Sequence, residues 1–261
     1  MSGSLHVEEF GSGPTIVLLH AFPCDGTMWR PQADALARAG WQVLVPDLPG
    51  FGRSPILEGE PSLAMVADRV LVEVADRGID RCVVGGISLG GYVTMAIAAI
   101  QPDLLRGVVL CDTKATADGD AARENRERLA RMCEESPGDT PRILEQAVLP
   151  GLLGETSRAE RPLVVAQVKG WLAAAPAPTV AWYQRAMAVR PDSLSVLAGL
   201  EAPAVVIWGA EDALSSRDEQ DVMVASLRSG QFVAVEAAGH LANVERPDAV
   251  GTALLEFVRG C

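Results

Sequence analysis

Seven short runs rich in β-branched residues, most of them separated by stretches of helical periodicity, constrain this chain more than any other feature, because such alternation builds a parallel sheet with crossover helices. The runs are LHVEEF (5–10), TIVLLH (15–20), QVLVPD (42–47), RCVVGGI (81–87), RGVVLCD (106–112), PAVVIWG (203–209) and QFVAVE (231–236). Most of the later ones are apolar at nearly every position, as strands covered on both faces are, which places them in the middle of the sheet. The first reads as an edge strand. Helical spacing covers 27–39, 62–77, 89–101, 216–228 and 246–259.

From Lys114 to about Leu197 the alternation stops, and the chain shows helical spacing with no strand, jointed at PGD, PGLLG and APAP. A long insertion at the carboxyl edge of a parallel sheet usually covers a ligand site. The 261 residues contain no Gly/Ser/Pro linker, so one α/β domain with an insertion is expected: a core of 1–113 and 198–261, and a helical cap of 114–197 after the sixth-strand position.

A formal net charge of -12 without any Lys/Arg run disfavours nucleic acid and anionic membrane as partners. MSGSLHVEEFGSG lacks a basic start and apolar stretch, and no apolar run has the length of a bilayer span, so the cytoplasm is the expected location. Five cysteines with no CxxC pair argue against a disulfide framework or zinc site.

Gly86-Ile87-Ser88-Leu89-Gly90 matches G-x-S-x-G between a buried-strand pattern and a helix pattern, the setting that holds a serine on a tight turn and exposes its hydroxyl. The bland alternative is a small-residue turn in which Ser88 caps the helix. A serine nucleophile needs a base, and the chain has three histidines. His6 lies on the first strand and reads as surface, His20 ends TIVLLH, and His240 follows the last strand, where it can reach the carboxyl edge of the sheet. For the carboxylate that orients the imidazole, AED after PAVVIWG offers Asp212, the favoured residue, and Glu211; Asp112, one strand away, is the other alternative. Donors to a developing oxyanion are expected from the amides of Leu89 and Phe22. Trp171, Trp182, Tyr183 and Met187 fit either a pocket lining or the interior of the cap.

Together, LLHAFP, PDLPGFGRSP, GGISLGGY, WGAEDAL and AAGHLANVERP resemble the α/β-hydrolase superfamily over nearly the whole chain. The resemblance implies a mostly parallel sheet of about seven strands rather than eight, since only one run precedes TIVLLH. It also implies Phe22 in the HGxP-type oxyanion loop, Ser88 and Leu89 in the elbow, Asp212 and His240 completing a triad, and no catalytic role for Asp47 or Arg53. One departure is His20-Ala21 where the family usually has His-Gly. The cap and VLCDTKATAD look most similar to enol-lactonase-like members. The expected activity is hydrolysis of a small carboxylic ester or lactone through an acyl-enzyme, without metal or organic cofactor. Perhydrolase or haloperoxidase, thioesterase and C–C hydrolase chemistry on the same triad are alternatives, as is a non-catalytic ligand-binding module. A homodimer is left open.

Overall fold

The computed structural model describes residues 3–261. All seven runs form strands of one sheet: β1 (Val7–Phe10), β2 (Thr15–Leu19), β3 (Gln42–Pro46), β4 (Cys82–Ile87), β5 (Leu105–Cys111), β6 (Ala204–Gly209) and β7 (Gly230–Val235). Their spatial order is β1-β3-β2-β4-β5-β6-β7, with β1 antiparallel to β3 and every other pair parallel. The interior strands β2, β4 and β5 are buried along almost their whole length, as their unbroken apolar runs require. QFVAVE is the exception among the later runs: β7 forms the second edge and only Val235 of it is buried. At the first edge, Glu8 of β1 holds Arg30 and Arg53, each at 2.7 Å, a charged border of the kind that discourages strand addition.

The expected helices of the core are α1 (Arg30–Arg38), α2 (Leu63–Asp76), α3 (Leu89–Ile100), α11 (Arg217–Ser226) and α13 (Pro247–Val258), with a short α12 (Ala242–Glu245) that periodicity does not reveal. Between β5 and β6 the chain is helical: α4 (Asp120–Glu135), α5 (Thr140–Ala147), α6 (Leu149–Leu152), α7 (Glu155–Glu160), α8 (Pro162–Ala174), α9 (Ala177–Ala188) and α10 (Leu194–Gly199). The PGD joint is a 3-10 turn that starts α5, whereas the Pro-Gly of PGLLG is taken up into α6, with Pro150 in the first turn where its missing N–H costs no hydrogen bond. Helices α4 and α9 pack together, with Arg185 of α9 bonded to Glu127 and Glu134 of α4, while α10 packs on the core helices α3 and α11. No helix among the described residues is long and apolar enough to cross a membrane.

Parallel strands end together, and here the register makes that concrete. Ile87 of β4 pairs with Cys111 of β5, which pairs with Ile207 of β6. The residues that follow, Ser88, Asp112 and the Asp212 turn, therefore meet at one edge of the sheet, beneath the helices of the insertion.

Candidate active site

Ser88 sits between β4 and α3 with φ 53 and ψ -113, a backbone conformation in which an L-residue is strained. The glycines around it are required by contact. A Cβ at Gly86 would lie 2.1 Å from the Gly90 carbonyl, and one at Gly90 would lie 2.2 Å from the Leu19 carbonyl oxygen of β2, so nothing larger fits this turn. The Ser88 N–H donates to the Cys111 carbonyl at 2.9 Å, and its own carbonyl accepts from Thr113 Oγ1 at 2.9 Å. Its side chain caps no helix. Instead Ser88 Oγ lies 2.7 Å from His240 Nε2, and His240 Nδ1 lies 2.9 Å from Asp212 Oδ2. The bland reading of Ser88 as a helix cap is thereby set aside.

Asp212 is nearly enclosed. Its Oδ1 accepts from the Leu214 and Ser215 amides at 2.8 and 3.2 Å, and its Oδ2 also accepts from the Ser215 hydroxyl. Burial by itself would raise its pKa; the His240 imidazole and these donors outweigh burial and lower it, so the carboxylate stays ionised. An ionised Asp212 accepts the Nδ1 proton of His240 and leaves Nε2 with a free lone pair toward the serine hydroxyl. For His240, burial opposes protonation, yet the Asp212 carboxylate, by its charge and its hydrogen bond to Nδ1, outweighs burial and raises the pKa above the ordinary imidazole value.

The competing acids are committed elsewhere. Asp112 Oδ1 accepts from the Gly209 amide at 2.7 Å and Oδ2 from the Ala242 amide at 3.1 Å, so it ties the end of β6 to the loop after His240 without bonding the imidazole. Its complete burial, then the nearby Asp212 charge, push its pKa well up. Glu211 accepts from the amide and hydroxyl of Thr156 and so anchors the insertion to the Asp212 turn. His20 is fully buried and structural. Nδ1 bonds the Ala21 carbonyl at 2.9 Å and Nε2 accepts from the Leu48 amide at 2.8 Å, which orients the loop carrying Phe22; burial lowers its pKa and keeps it neutral. Ala21 needs no glycine, since its φ is outside the left-handed region. His6 is half-buried rather than a free surface group, and its Nε2 is enclosed without a partner among the described residues. Asp47 accepts the amides of Gly26 and Arg53, each at 2.9 Å, a structural turn.

Phe22 and Leu89 flank the serine turn, and the amide of neither donates to another described residue. Two contributors escaped sequence reading. Ser215 follows Asp212 by three residues, and the Asp-x-x-Ser spacing of a local side-chain turn was its available signal. Glu245, buried, accepts the amides of Gly239 and Leu241 on either side of His240, at 2.8 and 3.3 Å, and of Gly154 from the insertion at 2.9 Å. Nothing local marked it, since it stands among Asn243, Arg246 and Asp248 like an ordinary surface carboxylate.

A cavity of about 630 Å³ lies between the insertion and the sheet edge, with Ser88 and His240 in its wall beside Phe22, Leu129, Leu152 and Met187. Of the four cap residues that fit either a lining or the interior, Met187 lines it. Trp171 donates to Thr27 Oγ1 at 3.1 Å, Trp182 donates to the Gly59 carbonyl at 3.1 Å, and Tyr183 stacks on Phe51 at 4.9 Å, so these three serve packing. All five cysteines are free thiols, and no group of three or more potential metal ligands occurs among the described residues.

A family profile described as alpha/beta hydrolase fold matches residues 14–247. The chain belongs to the α/β-hydrolase family. It is 29% identical to a pimeloyl-[acyl-carrier protein] methyl ester esterase of Aeromonas salmonicida (strain A449), over 94% of this chain and 95% of the relative. Among solved structures, a thermophilic esterase from Thermogutta terrifontis is 36% identical with a TM-score of 0.93, over 98% of this chain and 93% of that one. The enol-lactonase from Burkholderia xenovorans LB400 is 26% identical with a TM-score of 0.89, over 98% and 96%. These likenesses make the protein a hydrolase by family.

Proposed function

We propose that this α/β-hydrolase is a serine esterase that cleaves a small carboxylic ester or lactone through an acyl-enzyme. The observation that carries the reading is the unbroken hydrogen-bond chain Ser88–His240–Asp212 opening into the cavity. The esterase names of two relatives and the enol-lactonase name of the third support the choice of ester over other hydrolysable bonds.

In this mechanism Ser88 Oγ bonds to the ester carbonyl carbon as its proton passes to His240 Nε2. Asp212 holds the Nδ1–H tautomer and steadies the imidazolium. The Phe22 and Leu89 amides, without protein acceptors, receive the oxyanion, and each such donor is typically worth about 3 kcal/mol of barrier. The alcohol leaves with the proton from His240; water then attacks the acyl carbon as His240 takes its proton, and the bond from that carbon to Ser88 Oγ breaks as His240 returns the proton to Oγ and the acid departs. Helices α4 to α9 serve as the cap that encloses the acyl and alcohol groups, and no metal or organic cofactor enters.

The test is hydrolysis of p-nitrophenyl esters from acetate to octanoate. Turnover that tracks Ser88, with a chain-length optimum set by the cavity, is the expected result; no turnover on any ester or on simple lactones would overturn the reading. The pH profile is a second check. Only neutral His240 can act as base, and its pKa is raised, so kcat/KM should fall toward acid with an apparent pKa above the usual imidazole value of about 6.5. An acid limb below that value would assign the controlling group elsewhere.

A further inference from the structure

We infer that the substrate carries, besides the ester, a carboxylate that Arg126 and Lys114 bind on the cavity wall. The inference rests on the esterase reading and adds the charge of the substrate to it.

The charge of the cavity runs against that of the chain. The whole sequence has a formal charge of -12, yet the cavity lining has three cations, Lys114, Arg126 and Arg128, and one carboxylate, Asp118. The Asp118 side chain is 1% exposed and serves three cations at once: it accepts from Arg126 Nε, lies 2.9 Å from Arg190 Nη1 and 3.7 Å from Lys114 Nζ. Glu219 approaches Lys114 at 3.3 Å, which still leaves three cations for two carboxylates. Lys114 and Arg126, each with 20% of its side chain exposed, therefore bring to the cavity wall more positive charge than these carboxylates match.

The hydrogen-bond inventory identifies the free donors. Arg190 is spent: it bonds the Met187 and Thr116 carbonyls at 2.9 Å and its guanidinium lies 4.0 Å from the Tyr92 ring centre. Arg126 gives Nε to Asp118, and its Nη1 meets only neutral acceptors, Gln184 Oε1 at 3.4 Å and the weakly accepting Met187 Sδ at 3.3 Å; its Nη2 donates to no described residue. Lys114 has three N–H donors and no acceptor nearer than 3.3 Å. A carboxylate satisfies both groups with charge-assisted bonds, and Arg128, exposed beside the cavity, adds attraction on approach. Phe22, Leu129, Leu152 and Met187 supply apolar wall for a methylene spacer between the ester and the anion.

The experiment compares monomethyl esters of succinate, adipate and pimelate with neutral isosteres in which a terminal isopropyl group replaces the carboxylate. The wild type should favour the best half-ester in kcat/KM by roughly 10- to 100-fold, the range of one charge-assisted hydrogen bond. Arg126→Met should bring that ratio close to one, and Arg126→Lys should restore part of it. Because Arg126→Met also removes a partner of buried Asp118, Lys114→Met provides an independent variant, expected to lower the ratio in the same direction. A wild-type ratio of one or less, or a ratio unmoved by both Met variants, overturns the inference while leaving the esterase reading standing. If the wild type hydrolyses none of these esters, calorimetric titration of Ser88→Ala with monomethyl adipate decides. Binding that Arg126→Met abolishes upholds the anion site and no binding overturns it, while the esterase reading is decided separately by turnover of the p-nitrophenyl esters and simple lactones.

Discussion

Ser88→Ala should abolish ester turnover, with kcat falling by roughly 10⁴- to 10⁶-fold, the span seen when a triad nucleophile is removed. The fold should survive the change. What holds the turn is backbone: the Ser88 N–H to Cys111, the Ser88 carbonyl to Thr113 and Tyr92, and the bare glycines packed against Leu19 and each other. Ser and Ala share the strain at φ 53, so the substitution removes only the Oγ bond to His240, about 1 kcal/mol. For a chain of this size that corresponds to a shift in Tm of about 2–4 °C. Kinetics on the best p-nitrophenyl ester and a thermal melt of the same sample make the check. Residual activity above about one per cent with an unchanged melt would mean that another group is the nucleophile.

The second large effect separates the two buried aspartates. In Asp212→Asn an amide group next to His240 Nδ1 favours the wrong tautomer and places the Nε2 proton against the serine hydroxyl; kcat should fall by about 10⁴-fold. In Asp112→Asn one amide nitrogen must face either the Gly209 or the Ala242 N–H, both of which now donate to carboxylate oxygens. That leaves a buried donor unsatisfied at a cost of about 1–3 kcal/mol, so Tm should drop while kcat moves by less than about tenfold. Measuring kcat and Tm for both variants ranks them. If Asp112→Asn were the more damaging to kcat, the acid would belong on the other strand.

The strands were legible because each run is either apolar throughout or bounded by turn residues, and covered strands must read that way. That rule leaves the position of QFVAVE open: four of its six residues are apolar, enough for an interior strand, yet it forms an edge. Trp171, Trp182 and Tyr183 were ambiguous for a similar reason. Helical spacing shows that a face is buried but not whether it meets another helix or a cavity, and contacts with Thr27, Gly59 and Phe51 settle the matter from segments more than 100 residues away. Glu245 and the cationic wall were out of reach, since their meaning comes from partners on separate elements.

By itself the sequence determined the sheet-and-helix order and the strand–turn–helix around Ser88, because these depend on local periodicity and on residues a few positions apart. Tertiary structure alone separates Asp212 from Asp112 and Glu211 by what each contacts. All three lie at the same sheet edge, and what separates them is a hydrogen bond: Asp212 faces Nδ1 of His240, Asp112 faces two amides and Glu211 faces Thr156. It also decided the electrostatics of the cavity, because charges spread across the loop after β5, α4 and the segment after α9 sum only where folding brings them within a few ångströms of one carboxylate.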